Sequence, residues 1–268
     1  MPIDQAALTA TIARLDRAFR VDRAFGADGS AHRGDGVDRE PPAAMDPASF
    51  VDLVVGAADR VFALSGVGLM FLDADDALRY VAASDETIRA LESAQEQLGE
   101  GPCLDSLVQR TTVRTHDLTV DERYRSVGAV VGPLGVRAVL GVPVDVAGVA
   151  VGTLNVYRDR PHEWDDSEVD AVHAFATVLG SAFTAMIWAR RGDTLTVQLG
   201  RALESRIVVE RAIGFLMGVR RVDAVTAFDT LRRAARRGRR TVADVAQGVL
   251  GGDVERVADP VPVPGVGR

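Results

Sequence analysis

The sequence contains no lysine, so all 31 of its basic residues are arginine. A Walker A phosphate loop, a Schiff-base enzyme and a protein kinase each require a lysine, and these classes are therefore excluded. A phosphorylated receiver domain, which in its familiar form also uses a lysine, is disfavoured. GC-rich coding, which favours arginine, explains the absence of lysine. The three classes are excluded whatever its origin.

Cysteine is nearly absent, and apolar runs are short. The single cysteine, Cys103, excludes an internal disulfide framework and is compatible with a reducing cytoplasm. No apolar run approaches the roughly 20 residues that cross a bilayer. The N-terminal segment also lacks the apolar centre of a signal peptide. We therefore expect a cytoplasmic protein that has no membrane partner.

Basic charge is concentrated near the C-terminus. Residues 195–250 contain eleven arginines and five acidic residues, whereas the rest of the chain contains 20 arginines and 33 acidic residues. This segment thus carries a net charge of about +6 within an otherwise acidic chain. Such an asymmetry predicts a polyanion-binding module attached to a soluble body.

Periodicity and composition divide the chain into four regions. Residues 1–45 are expected to form a short helix (4–21) and a disordered linker rich in Gly, Asp and Pro (26–42), and residues 253–268 an unfolded tail. Residues 46–190 predict one folded domain with the order αββ-α-β-α-ββ-α. This order is typical of an α+β fold in which helices cover an antiparallel sheet. Its expected elements are a helix from Asp46, strands at 66–73 and 77–84, a helix at 85–98, a loop at 99–106, a strand at 112–118, a helix at 121–131, two strands within 137–159 and a helix from 165 to 190.

Residues 191–252 predict a small bundle of three amphipathic helices. The first ends near Met217, with Gly218 suited to its C-terminus. The second begins after Asp223 and ends at Gly238. The third begins at Thr241, with an acidic residue three positions later as in a capping box.

A near-heptad stripe joins the two folded regions and consists of Trp188, Leu195, Leu199 and Ala202. It has two interpretations: a short coiled coil that pairs two protomers, or a helix docked on its own domain. We expect a homodimer.

The arginines of the bundle cluster at the end of its second helix. The cluster comprises Arg232, Arg233, Arg236, Arg237, Arg239 and Arg240. Guanidinium groups bind phosphate with two donors and stack on bases, although basic residues also suit a solvated helix C-terminus. The scarcity of nearby acids favours nucleic acid, but charge does not separate RNA from DNA.

The residue pattern of the bundle closely resembles the ANTAR domain, an RNA-binding module of transcription antitermination regulators. The matching residues are Ser205-Arg206, Glu210, Ala212, Gly214, Leu216-Met217, Ala227-Phe228, Leu231-Arg232 and Val245-Ala246. The resemblance implies recognition of paired RNA hairpins, which prevents a terminator from forming. It implies that Arg206, Ala212, Gly214 and Arg232 lie at or near the RNA surface, and we add Arg236, Arg239 and Arg240 from the basic cluster. The family commonly has a lysine where this chain has Ile213, which puts RNA affinity or target choice in question.

The region 46–190 resembles a GAF sensory domain of the kind found beside ANTAR in actinobacterial regulators. The markers are Gly99-Glu100-Gly101-Pro102-Cys103, Asp117-Leu118, Asp121-Glu122-Arg123-Tyr124, Val142-Pro143 and Gly152-Thr153-Leu154-Asn155-Val156-Tyr157. GAF domains bind small molecules between the sheet and its covering loops, sense redox state or gases through cofactors, or only dimerise. The resemblance therefore implies a small-molecule effector and identifies no particular cofactor.

Three residues of this region are candidates for ligand sensing. Cys103 is either a redox-active thiol at a helix start or a small buried side chain, and burial is favoured. His116 contacts a ligand or is structural, and a lone histidine on a strand is more often structural. Tyr124 stands where the family usually has tryptophan. No Cys/His spacing predicts a metal site.

The predicted protein is a signal-responsive regulator with an RNA-binding output. A DNA-binding helix-turn-helix regulator and a protein-interaction module that has lost RNA binding are the alternatives. An enzyme is not expected, since no nucleophile–base pair, paired carboxylates or phosphate loop stands out.

Overall fold

The computed structural model describes residues 5–24, 47–62, 65–73, 78–188 and 194–253. The predicted linker at 26–42 and the predicted tail after Asp253 lie outside the described residues. The described elements are α1 (Gln5–Ala24), α2 (Pro47–Phe62), β1 (Gly66–Leu72), β2 (Leu78–Ala83), α3 (Glu86–Leu98), α4 (Pro102–Gln109), β3 (Val113–Thr115), α5 (Arg125–Val131), β4 (Ala138–Val146), β5 (Val149–Arg158), α6 (Asp166–Trp188), α7 (Thr194–Arg220), α8 (Ala224–Gly238) and α9 (Val242–Leu250).

Five strands form one antiparallel sheet in the order β2-β1-β5-β4-β3. The β4–β5 hairpin turns at Ala147-Gly148, where both residues have positive φ (52° and 81°), as tight hairpins that match the strand twist require. This architecture confirms the predicted α+β class.

Each face of the sheet covers a separate apolar core. The first core lies under α1, α2 and α6, and its largest members include Phe50, Leu69, Phe175 and Phe183. The second core lies under α3, α4 and α5 and includes Met70, Ile88, Leu91, Leu107 and Leu118. Leu8 and Leu15 of α1 are buried in the first core, so this core begins well before residue 46.

Helix α6 is 23 residues long, and an 18-residue window of it has a mean hydropathy of 1.5. By length and composition it could cross a membrane, although no helix of this kind was expected from the sequence. Half of that window is buried inside the protein, where Phe175, Leu179 and Phe183 pack against the sheet. Core helices of soluble proteins pass the same test, and α6 has the contacts of one.

The segment predicted as a loop at 99–106 contains the start of helix α4. Pro102 occupies the first turn, where its missing N–H and fixed φ are compatible with a helix. The predicted strand at 112–118 is reduced to Val113–Thr115, which pairs with β4.

Helix α7 is continuous over 27 residues and does not end at Gly218. Its Leu199 is buried in the first core and Ala202 in the second. From Val209 onward its buried residues form the third core with α8 and α9. Of the two interpretations of the stripe, docking on its own chain is the one that Leu199 and Ala202 support.

The predicted caps of the last two helices are confirmed. The Asp223 carboxylate accepts from the Thr226 N–H at 2.7 Å and begins α8. Thr241 and Asp244 form a complete capping box at α9. These caps satisfy backbone donors that would otherwise lack intrahelical partners.

Candidate nucleic-acid interface

Arg206 is fully buried, which contradicts its expected position at an RNA surface. Its guanidinium lies 2.5 Å from the Glu210 carboxylate one turn later and 5.4 Å from the centre of the Phe228 ring. Arg206 shares a helix face with the buried residues Ala202, Val209 and Ile213, since positions three, four and seven apart lie on one side. Arg206 therefore lies inside the bundle, where it contacts Glu210 and Phe228.

Ala212 is likewise buried and not at the surface. It belongs to the third core, and so does Ile213, which is 2% exposed. The hydrophobe that replaces the family's usual lysine therefore packs inside the bundle. Gly214, by contrast, is exposed, and a Cβ added there would meet nothing within 4 Å. Of the three α7 residues expected at the RNA surface, Arg206, Ala212 and Gly214, only Gly214 is exposed to a ligand.

Arg232 lies at the contact between α8 and the α3–α4 turn. Its side chain is 15% exposed, and Nη1 donates to the Gly99 carbonyl oxygen at 2.5 Å. The guanidinium also lies 5.7 Å from the Phe228 ring centre. Burial, and then repulsion from Arg236, lowers the pKa of the Arg232 guanidinium. Arg232 is therefore held by the sheet domain in this structure.

Arg236, Arg239 and Arg240 are exposed at the end of α8 and in the turn to α9. Arg239 adopts a left-handed conformation (φ 50°) that ends the helix. The Arg240 guanidinium donates to the Asp244 carbonyl oxygen at 2.8 Å. The side chains of Arg236 and Arg239 have no hydrogen-bond or ion-pair partner within the described part of the chain. These guanidiniums retain their capacity to bind an anion.

A cleft of about 760 Å³ separates this arginine cluster from the sheet domain. One wall carries Arg232, Arg236, Arg239 and Arg240, and the opposite wall carries Arg79, Gln95, Glu96 and Gln97. Arg79 is already paired with Asp73 and Glu96. The uncompensated charge of the cleft therefore comes from α8 and from the turn that follows it.

A buried polar pair occupies the second face of the sheet. The Asn155 amide donates to a Glu92 carboxyl oxygen at 2.9 Å, and both side chains are fully buried. Within the described part of the chain, the other Glu92 oxygen, Asn155 Oδ1 and Thr153 Oγ1 have no hydrogen-bond partner. Burial raises the pKa of Glu92 to about 8, against the lowering effect of the Asn155 hydrogen bond.

Cys103 is fully buried beside that pair, as the favoured interpretation predicted. The Gln95 amide donates to Cys103 Sγ at 2.8 Å, and the Cys103 N–H donates to Gln95 Oε1 at 2.9 Å. Burial and the nearby Glu92 raise the pKa of the thiol well above its ordinary value. A neutral, enclosed thiol is a poor nucleophile, and here it packs as a small apolar side chain.

His116 and Tyr124 do not join this polar group. The imidazole of His116 is 54% exposed and lies 3.1 Å from Glu163 at the surface. The Tyr124 ring is buried, and its hydroxyl donates to Asp105 at 2.8 Å. The structure thus brings only Cys103, of the three candidates, close to the buried Glu92. Among the described residues, no group of three or more His, Cys, Asp or Glu side chains could hold a metal ion.

Two features were missed from the sequence. Glu92 and Gln95 interrupt the apolar face of α3 at the spacing of Ile88 and Leu91, and this irregularity was the available signal. Val108, on α4, is buried in the third core although it precedes the bundle by about 90 positions in the chain. No local pattern could have indicated that contact.

A sheet domain with buried polar groups, joined by one continuous helix to an arginine-rich bundle, defines a sensor–output regulator. Family models match both parts: a GAF domain model covers residues 44–184, and an ANTAR domain model covers residues 197–250. The chain therefore belongs to the GAF domain family and carries a C-terminal ANTAR domain. No curated protein matches it.

Several solved structures resemble the sheet domain. A GAF domain from an Acinetobacter phosphoenolpyruvate-protein phosphotransferase is 15% identical over 68% of this chain and 98% of that one, with a TM-score of 0.47. A domain of a two-component sensor histidine kinase protein from Sinorhizobium meliloti is 22% identical over 53% and 94%, with a TM-score of 0.45. A type II free methionine-R-sulfoxide reductase from Thermoplasma acidophilum is 16% identical over 51% and 94%, with a TM-score of 0.42.

Proposed function

We propose that this protein is a cytoplasmic regulator whose ANTAR domain binds structured RNA, as paired hairpins, and causes transcription antitermination under control of the GAF domain. The observation that carries the proposal is the exposed arginine cluster at the end of α8, inside the segment that the ANTAR model matches. Arg236 and Arg239 present guanidiniums that no described side chain neutralises. Phosphate is the anion that such clusters bind with two donors.

RNA is favoured over DNA by the composition of α9. A DNA-reading helix presents Arg, Asn or Gln to base edges, and α9 exposes Gln247 and the acidic Asp244. The arginines lie before this helix and not on it. Duplex DNA is therefore the comparison ligand in the test.

We further propose that the active form is a homodimer that responds to a small-molecule effector and catalyses no reaction. Trp188 at the end of α6 is 76% exposed and Val197 on α7 is 42% exposed, which leaves apolar surface near the α6–α7 junction for a second copy. Two ANTAR domains on two linked hairpins would gain affinity through effective concentration. Native mass spectrometry of protein purified from its host reads the bound effector and the oligomeric state together.

Removing the exposed arginines tests the RNA claim. The triple variant Arg236→Ala/Arg239→Ala/Arg240→Ala should weaken binding to paired-hairpin RNA by at least ~100-fold near physiological salt and lower the salt slope by roughly one per arginine. Gel-shift titrations with RNA and matched duplex DNA over a salt series measure both quantities.

A matched control removes three exposed arginines from the GAF domain: Arg89→Ala/Arg125→Ala/Arg160→Ala. This variant loses the same formal charge and should bind RNA nearly as tightly as the wild type. Equal affinity of the wild type for RNA and DNA, or no binding to RNA, contradicts the proposal.

A further inference from the structure

We propose that α4 and the α3–α4 turn of the GAF domain form a docking surface for α8, and that this surface and RNA compete for the arginines of α8. The proposal rests on the proposed function and names how RNA binding is regulated. The docking surface comprises Gly99, Leu104 and Val108.

The apolar part of the contact is made by α4. Val108 is 4% exposed and is buried in the third core, whose other buried members all lie on α7, α8 and α9. Leu104, one turn earlier, packs against the same core and against the second one. Undocking would expose Val108 together with part of the bundle, so the docked arrangement removes apolar surface from water.

The polar part of the contact is made by the turn after α3. Gly99 adopts a left-handed conformation (φ 67°) and ends α3, and its carbonyl accepts from Arg232. A Cβ at this position would overlap Arg232 Nη2 and lie 2.9 Å from Arg236 Nη2. Two arginines thus converge on the C-terminal end of α3, where the helix dipole favours positive charge. Glycine is required here both for its φ and for the space that the guanidiniums occupy.

Docking buries Arg232 and limits access to Arg236, Arg239 and Arg240 from the side of the cleft. Arg232 donates to Gly99 and is only 15% exposed, so it cannot bind a phosphate in this arrangement. The cleft in front of Arg236, Arg239 and Arg240 measures about 760 Å³, the volume of a small-molecule site and not of an RNA hairpin. An RNA that engages these arginines from the cleft side must first separate α8 from the GAF domain.

The docking surface is tied to the interior of the GAF domain. Gln95, on α3, binds Cys103 on the far side of the turn through two hydrogen bonds. A Cβ at Gly101 would overlap the Gln95 side chain, so the turn lies directly on it. A change in the buried group around Glu92 and Gln95 therefore moves the turn that receives Arg232. A signal of this kind shifts the population between docked and free ANTAR domains.

Variants on the GAF side of the contact test the proposal without altering any RNA-binding arginine. Val108→Arg places a cation in the apolar third core and should release α8. Gln109→Arg adds the same charge at the next, exposed position of α4 and is the matched control. Gly99→Asn is the second variant, because asparagine tolerates the left-handed conformation while its side chain displaces Arg232.

Two readouts are compared in the full-length protein. Amide hydrogen exchange should rise in 99–110 and 224–238 for Val108→Arg and Gly99→Asn, and stay unchanged for Gln109→Arg. Affinity for paired-hairpin RNA should rise ~10-fold in Val108→Arg and Gly99→Asn and stay unchanged in Gln109→Arg. The gain is expected because the undocked ANTAR domain, which is the form that binds RNA, becomes more populated. If Val108→Arg shows no cooperative thermal unfolding transition, the proposal is tested with Gly99→Asn alone.

If amide hydrogen exchange is unchanged in the variants that fold, the proposed docking surface is wrong. If amide hydrogen exchange rises and RNA affinity does not change, the docking surface and RNA do not compete for the arginines of α8. If amide hydrogen exchange rises but neither the wild type nor any variant binds RNA, the docking surface is supported. The proposed function is then wrong, independently of the docking surface.

Discussion

At the scale of single residues, Glu92 is a carboxyl group held in an apolar interior beside Asn155. Its folded-state pKa of about 8 lies above its ordinary value of 4.5, so the folded protein keeps a proton that the unfolded chain releases between these pH values. The free energy of unfolding should therefore decrease as pH rises from 5 to 8, by up to about 1.4 kcal/mol per pH unit from this group.

Glu92→Gln should abolish this dependence, since the neutral amide keeps an oxygen for Asn155 and carries no titrating proton. We expect the variant to be more stable than the wild type by on the order of 3 kcal/mol at pH 8 and nearly equal to it at pH 5. Urea unfolding at both pH values measures the difference. The control is Glu86→Gln, whose carboxylate is 83% exposed. The same pH slope in wild type and Glu92→Gln would show that Glu92 is ionised when buried.

Residue-level roles were the least predictable part of the candidate site. Arg206 and Arg232 both match the ANTAR pattern, yet one is enclosed within the bundle and the other bonds to Gly99. A family pattern retains residues that build the fold as well as residues that bind the ligand, and sequence spacing does not separate the two. The burial of Cys103 was predicted correctly, because free cysteines are usually buried.

At the scale of secondary-structure elements, α7 carries three open glycines, Gly200, Gly214 and Gly218. A Cβ at Gly200 or at Gly214 would meet nothing within 4 Å, so alanine should stabilise the helix at either site by roughly 0.5–1 kcal/mol. The resemblance to ANTAR domains implies that Gly214 lies at or near the RNA surface. Gly214→Ala should therefore raise the melting temperature and weaken hairpin RNA binding by ~10-fold, about 1.4 kcal/mol.

Gly200→Ala is the matched control for this prediction. It should raise the melting temperature to a similar extent and leave RNA affinity unchanged. Thermal melts and gel-shift titrations on the same preparations give both quantities. Unchanged RNA affinity in Gly214→Ala would place the RNA on another face of the bundle.

Elements with local signals were predicted well, and elements defined by distant contacts were not. The helix caps at Asp223 and Thr241 depend on nearby residues, and both were predicted. The start of α4 was taken as a loop because it follows two glycines and begins with proline. Packing stabilises this helix, because Cys103 and Leu107 are buried in the second core.

At the scale of the whole molecule, the GAF and ANTAR domains share buried structure. Leu199, Ala202 and Val209 place one helix in all three cores, and Val108 joins the third core from the GAF side. We therefore expect the two domains to unfold in one transition, although two-domain proteins commonly show more than one.

Two probes distinguish these outcomes. Both tryptophans, Trp164 and Trp188, lie outside the ANTAR domain and report on the GAF side, whereas far-UV circular dichroism also reports on α8 and α9. Urea transitions followed by the two signals should coincide in the wild type. Midpoints that differ beyond error would show that the domains unfold independently.

Helix α7 also fixes an angular relationship between the two domains. Each residue of an α-helix advances the side-chain direction by about 100°. The number of residues between Leu199 and Gly214 therefore determines which way Gly214 points for a given placement of the sensor. Insertions of seven residues nearly restore that direction, whereas an insertion of two turns it to the opposite side. Recombination of this ANTAR domain with other sensors is consequently constrained to junctions that keep the helix in phase.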